Sequence, residues 1–224
     1  MSAVETLRGT VHVVDDDRAF RTAIGRLLRA AGHDARLHAS APDYLAAEEA
    51  AGPSCVLLDL RMPGSSGLDL QHTLRQRGDT HPVIFLSAHG DVSSTVRAMQ
   101  DGALTFLTKP VQERELLEAI GQALERDAER RERRAHLAVT RRRYESLTPR
   151  ERQVMAGVVA GLLNKQISFA LNSAERTVKT HRSRVMEKMM VRTVPDLVHV
   201  AEELREAGQA LEPIPGAHGE TQEP

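Results

Sequence analysis

A chain of 224 residues, 41% hydrophobic and 27% charged, is long enough for two modest domains and too apolar for wholesale disorder. Its one cysteine, Cys55, excludes a disulfide framework and a cysteine metal site, and 3% aromatics without tryptophan leave no stacking platform for single-stranded nucleic acid. No apolar run approaches the ~18 residues of a membrane span and no basic-then-apolar leader is present, so a cytoplasmic protein without membrane contact is expected.

The net charge of −1 conceals an asymmetry. Residues 1–121 carry 12 Lys/Arg against 16 Asp/Glu, a balance of −4, whereas residues 122–211 carry 18 against 12, a balance of +6. A basic back half points to an anionic partner, with nucleic acid the first candidate.

Strand-like and helix-like runs alternate through the front half. Thr10 to Val14 reads as a strand running into Asp15-Asp16-Asp17. A helix from about Arg18 to Ala31 follows, with Phe20, Ile24, Leu27 and Leu28 on one face, Asp17 as its cap and Gly32 placed for a left-handed end. A short strand near Ala35 to His38 leads to Ser40-Ala41-Pro42-Asp43, which reads as an N-cap, a proline in the first turn and an acid at the third position. An apolar strand beginning at Ser54 ends on Asp59, and Pro63-Gly64 delay the next helix, expected from Leu68 to Arg77. Then come a strand from Val83 into Ser87, a helix from Val92 to Gln100, a strand from Thr105 delivering Lys109 before Pro110, and a helix from Val111 onward. Five such βα units predict an α/β doubly wound parallel sheet over residues 1–121.

Residues 122–144 are rich in charge, with Arg130-Arg131, Arg133-Arg134 and Arg141-Arg142-Arg143 and no Gly or Pro. They read as a helical connector extending the fifth helix. A coiled-coil seam through Leu117, Leu124 and Leu137 is sparse, and a solvated helix without a partner remains an alternative.

Residues 145–208 read as an all-α, four-helix second domain. Thr148, Pro149 and Glu151 form a capping box for a helix ending before Gly161. A short helix capped by Asn164 spans Lys165 to Leu171, a long one spans Glu175 to Met189, and a last one, capped by Thr193, runs from Pro195 to Ala207. Residues 209–224 are expected to form a disordered tail.

The chemistry collects at the strand ends. Asp15, Asp16 and Asp59 repel one another unless a cation sits among them, and oxygen-only donors favour Mg²⁺. Asp16 and Asp59 are the expected direct ligands, with the Arg61 backbone carbonyl as a third and Asp15 acting through water. With the metal and Lys109 compensating charge, Asp59 can attack a phosphoryl group and Ser87 can hydrogen-bond its oxygens. Each residue has a duller reading: a lone strand-end aspartate is ordinarily a turn former, and Phe106 alone would be core.

Asp15-Asp16, Asp59, Ser87 and Lys109-Pro110 at these separations resemble the receiver domain of two-component response regulators, over residues ~9–121. The resemblance implies that Asp59 takes phosphate from a sensor histidine kinase, that Ser87 then swings toward it, that Phe106 turns inward, and that the Lys109-Pro110 bond is cis. Ser87 replaces the commoner Thr and keeps the hydroxyl. His89 could gate water access to the phosphoryl group or simply be exposed.

In the back half, a step of 100° per residue puts Val178, His181, Val185 and Met189 on one side of the Glu175–Met189 helix. Arg176, Lys179, Thr180, Ser183 and Glu187 fall on the other, flanked by Arg182, Arg184 and Lys188 at positions suited to phosphates. Leu147 to Val154, Gly161, Asn164 to Ile167 and Glu175 to Arg182 resemble the LuxR-type helix-turn-helix domain. Together the two resemblances suggest a FixJ- or StyR-like transcriptional response regulator of the wider NarL group. They imply a helix in the major groove of a double-stranded operator, a homodimer formed on phosphorylation or on DNA, RNA polymerase as a further partner, and activation of transcription. By position, Lys179, Thr180 and Ser183 would face bases, while Lys165, Arg176, Arg182 and Arg184 would touch the backbone.

Departures cluster before the reading helix. Asn172-Ser173-Ala174 stands where Gly, an apolar residue and Ser are usual, and Met190 stands where a small capping residue is common, so a loosely held reading helix is expected.

Two enzyme readings fare worse. A phosphohydrolase with an aspartyl-phosphate intermediate would want a second acid where Arg61 stands, and a nucleotide enzyme would want a glycine-rich loop after the first strand. A phosphorylation-independent DNA-binding adaptor stays open.

Overall fold

The computed structural model describes residues 7–48, 50–64, 66–88 and 92–214, the side chains of residues 92–94 excepted. His89 and residues 215–224 lie outside the described residues. The chain divides into two compact units between Glu132 and Arg133.

The first unit is built on five parallel strands: β1 (Thr10–Val14), β2 (Asp34–His38), β3 (Ser54–Asp59), β4 (Val83–Ser87) and β5 (Thr105–Thr108), in the order β2-β1-β3-β4-β5. The three inner strands are buried along their whole length, as parallel strands covered on both faces must be. Helices α1 (Arg18–Ala30), α2 (Ala41–Leu45), α3 (Gly67–Gln76), α4 (Val92–Gln100) and α5 (Glu113–Glu145) connect and follow them. One core layer packs Val11, Val13, Leu57, Ile84 and Leu86 against Ile24, Leu28 and the Leu116, Ile120, Leu124 stripe of α5. The other packs Val14, Val56, Leu58 and Phe85 against Leu70 and Leu74. Each expected element is present, with ends shifted by one or two residues.

The strand order reverses between β1 and β3, and at that switch point the carboxyl ends of neighbouring strands leave an open crevice. Register brings the strand ends level: Val14 pairs with Leu58, Asp59 with Leu86 and Ser87 with Thr108. Gly67 closes the loop after Asp59, and only glycine fits there because a Cβ would lie 2.4 Å from the Asp59 carbonyl oxygen. Cys55 is fully buried and its thiol is pushed up to about 12 by burial, which makes it an inert core residue.

Helix α5 is one helix of 33 residues. Asp127, within the stretch composition suggested could be solvated, is completely buried. It accepts the Ser54 amide hydrogen at 2.9 Å and the Arg131 Nε hydrogen at 2.7 Å, and it also pairs with Arg130. Leu124 packs in the core of the first unit and Leu137 is half-buried against the core of the second, so neither is given to a coiled-coil seam.

The second unit contains α6 (Pro149–Val159), α7 (Asn164–Ala170), α8 (Glu175–Met189) and α9 (Val194–Glu206) around Val154, Met155, Ile167, Val178, Val185, Leu197 and Leu204. The capping box at Thr148/Glu151 and the Thr193 cap of α9 form as expected, and Asp196 completes a second box with Thr193. Two expectations need correction. Asn164 is not the cap of α7: Leu163 holds that position, Gln166 Oε1 accepts its amide hydrogen, and the Asn164 side chain instead accepts a hydrogen bond from Arg182 at 3.1 Å. Nor is the tail free from residue 209. Ile214 is only 6% exposed, packs on the core beside Gly157, and the Glu212 amide donates to the Tyr144 hydroxyl at 3.0 Å. An isolated isoleucine in a Pro- and Gly-rich segment carries no periodic signal, so composition hides this anchor.

Candidate functional site

At the carboxyl edge of the sheet, Lys109 bridges two carboxylates. Its ammonium donates to Asp15 Oδ2 at 2.6 Å and to Asp59 Oδ1 at 2.8 Å, joining residues 94 and 50 positions away. Asp15 and Asp59 are buried, and each uses its second oxygen on backbone: Asp15 Oδ1 accepts the Asp17 amide and Asp59 Oδ2 accepts the Arg61 amide. Burial pushes the Asp59 carboxyl up, against the pull of Lys109 and the Arg61 amide. Lys109 is itself desolvated, yet the two carboxylates hold its ammonium above the usual value.

The structure brings together Asp15, Asp59 and Lys109, with Asp16 adjacent and exposed to solvent. Ser87 ends β4, the strand next to β3, and is buried; Phe106 is half-buried in β5. The Lys109-Pro110 bond is cis. Asp17 caps α1, accepting the Ala19 and Phe20 amides. Two contributors escaped sequence reading. The Phe20 ring, placed on the core face of α1 by periodicity, lies 4.2 Å from the Lys109 ammonium, and Arg21 donates to the Asp15 backbone carbonyl at 2.5 Å. Both lie in the first turns of α1, next to the acidic run, and that proximity was the only available signal.

Among the described residues no group of three His, Cys, Asp or Glu side chains converges as a closed metal cluster. The donor set nevertheless fits a hard cation. Mg²⁺ takes one or two protein carboxylates and keeps several waters, which matches two buried carboxylates with a third exposed beside them.

In the second unit, Val178, Val185 and Met189 are buried, and Arg176, Lys179, Thr180, Ser183 and Arg184 are exposed along α8, as a helical period requires. Lys165 on α7 is exposed too, whereas Arg182 is half-buried on Asn164. Lys188 corrects the sequence reading. Rather than reaching outward for phosphate, it donates to the buried Glu151 at 2.6 Å and to the Ser146 carbonyl at 3.1 Å. Burial opposes ionisation of Glu151, but Lys188 and the Thr148 amide outweigh it and hold its carboxyl below the usual range.

The turn before α8 carries its departures openly. Asn172 adopts the left-handed region at φ 46°, Ala174 caps α8 with no side-chain hydrogen bond, and Met190 ends it in the left-handed region at φ 57°. The missing apolar anchor has a polar replacement: Arg150 donates to Ser173 Oγ at 2.6 Å and also to the Leu171 carbonyl. The turn into α8 is therefore tied back to α6 through a residue that sequence alone placed in a capping segment.

A doubly wound parallel sheet with a lysine-bridged carboxylate pair at its switch point, joined to a helix-turn-helix unit, defines a signal-receiving DNA-binding protein. Residues 11–121 match the response regulator receiver domain, and residues 145–201 match the bacterial regulatory proteins of the luxR family. Nodulation protein W of Bradyrhizobium diazoefficiens is 42% identical over 197 residues, covering 88% of this chain and 87% of that one. Response regulator protein TodT of Pseudomonas putida is 40% identical over the same coverage. The solved structure of response regulator StyR superposes with a TM-score of 0.79 at 44% identity, covering 88% of this chain and 100% of that one. The chain belongs to the response regulators that couple a receiver domain to a LuxR-type DNA-binding domain, and it is a transcription regulator rather than an enzyme. No described helix is long and apolar enough to cross a membrane.

Proposed function

We propose that Asp59 is the phosphoacceptor of this regulator, with Lys109 and Ser87 as its catalytic partners and Ser87 and Phe106 as the residues that relocate. The observation that carries the assignment is the Lys109 ammonium held between Asp15 and Asp59 at the β1/β3 switch point. A bond forms between an Asp59 carboxylate oxygen and phosphorus as the bond to the kinase imidazole nitrogen breaks, the electron pair staying on that nitrogen. Lys109 stands where it can balance charge on the transferred oxygens. Asp15, Asp16, Asp59 and the Arg61 carbonyl would hold Mg²⁺, which when bound neutralises carboxylate and phosphoryl charge. The added charge of about −1.5 to −2, if aspartyl phosphate resembles other phospho side chains, then favours the homodimer and operator binding.

The proposed division is a receiver over 1–121, a connector over 122–144, and a DNA-binding domain from 145 whose core is completed by residues up to Ile214. On the DNA side, Lys179, Thr180 and Ser183 face bases, while Lys165, Arg176, Arg182 and Arg184 position the backbone. The protein works in the cytoplasm and recruits RNA polymerase to activate its genes.

Mass spectrometry tests the core of this reading. With Mg²⁺ and a small phosphodonor the wild-type chain gains one phosphoryl group, whereas Asp59→Asn or added EDTA prevents the gain. Unchanged phosphate incorporation and operator occupancy in Asp59→Asn would show the assignment to be wrong.

A further inference from the structure

Phe169 is 90% exposed on α7, although chain-wide aromatics are scarce and three other phenylalanines, Phe20, Phe85 and Phe106, are buried or half-buried. With Lys165 and Ser168 of α7 it lines an open cleft that continues over Asn172 and Ser173 in the turn and Ala174 at the start of α8. The cleft thus adjoins the exposed cationic stripe of the reading helix, carries a cation of its own in Lys165, and meets the positive end of the α8 dipole. A bare phenyl ring in water at that place gains from a partner that offers both negative charge and apolar C–H surface, and a DNA duplex offers both.

We infer that Phe169 is a DNA-contacting residue, packing its ring on deoxyribose or a thymine methyl group beside the segment that α8 reads. The inference rests on the proposed DNA-binding role of α8 and extends the interface onto α7. It adds apolar contact without charge. Phe169 therefore contributes to affinity without adding to the number of phosphates neutralised.

The test uses the full chain and a duplex enriched by the wild-type protein from a random pool. Phe169→Ala binds on the order of tenfold more weakly with an unchanged salt slope and an unchanged melting temperature, whereas Lys165→Ala lowers the slope by about one. Phe169→Trp, the sole tryptophan of the chain, keeps affinity and changes its emission when the duplex is added. Repeating the titration with uracil in place of thymine separates the two contacts: only a methyl contact makes the wild type weaken while Phe169→Ala does not. If Phe169→Ala binds normally while Lys179→Ala weakens, the inference is wrong and the α8 reading stands; if neither substitution matters, the α8 reading has failed as well. Normal DNA binding with impaired transcription by added polymerase would assign the ring to a protein partner and overturn the inference.

Discussion

Asp59, Lys109 and Asp15 show how a residue's neighbours set its chemistry. A strand-end aspartate in water is an ordinary carboxylate; burial beside a second acid makes its charge costly, and the shared lysine offsets part of that cost. The same unit holds a second buried titratable cluster that takes no part in the proposed phosphate site. His12 and His38 exchange one hydrogen bond at 3.1 Å with rings stacked, and Tyr44 meets both edge-on. Burial, then His38, Arg36 and His81, lower His12 to about 4, against a weaker opposing pull from Asp34. Because the folded value lies below the unfolded value of about 6.5, the unfolded chain binds protons first as pH falls. This stability is complete above pH 6.5 and is lost progressively toward pH 4. From pH 7 to pH 5 His12 alone should cost about 2 kcal/mol, read as the opening free energy of β1 amides in hydrogen exchange. His12→Phe should flatten that dependence, and an equally steep loss in the variant would refute it.

At the scale of elements, most helix ends are decided by a few adjacent residues. Ser66 and Asp69 close α3, Thr148 and Glu151 close α6, and Thr193 and Asp196 close α9, each by reciprocal hydrogen bonds within four positions. Such caps are readable because both partners lie in one turn. Helix α8, like α7, lacks such a side-chain cap, since Ala174 offers no acceptor to its first amides. Ala174→Ser should stabilise α8 by about 1 kcal/mol and slow amide exchange in its first turn. No change in exchange there would mean that the Arg150 tie already determines the stability of this end. That tie was not readable: Arg150 lies 23 positions from Ser173, and nothing in either segment names the other.

On the scale of the whole molecule, the two units differ in how their ends are secured. Asp127 fastens α5 to the first residue of β3, the strand that carries Asp59 at its far end. In the second unit Leu211 and Ile214 complete the core after the last helix has ended. Ending the chain after Gly208 should therefore destabilise the second unit by about 2 kcal/mol, the burial of one isoleucine side chain, and lower its thermal midpoint; an unchanged midpoint would show that Ile214 adds nothing.

Alternating apolar runs, caps and strand-end acids determined the five-stranded sheet, the four helices of the second unit and the identity of the acidic cup, because each is written within a turn or a strand. Tertiary structure alone decided which partners meet. It set Lys109 between Asp15 and Asp59, turned Lys188 inward to Glu151, gave Asn164 to Arg182 and buried Ile214. Lysine and arginine stems reach several ångströms in many directions, so their partners depend on how distant segments pack rather than on spacing along the chain.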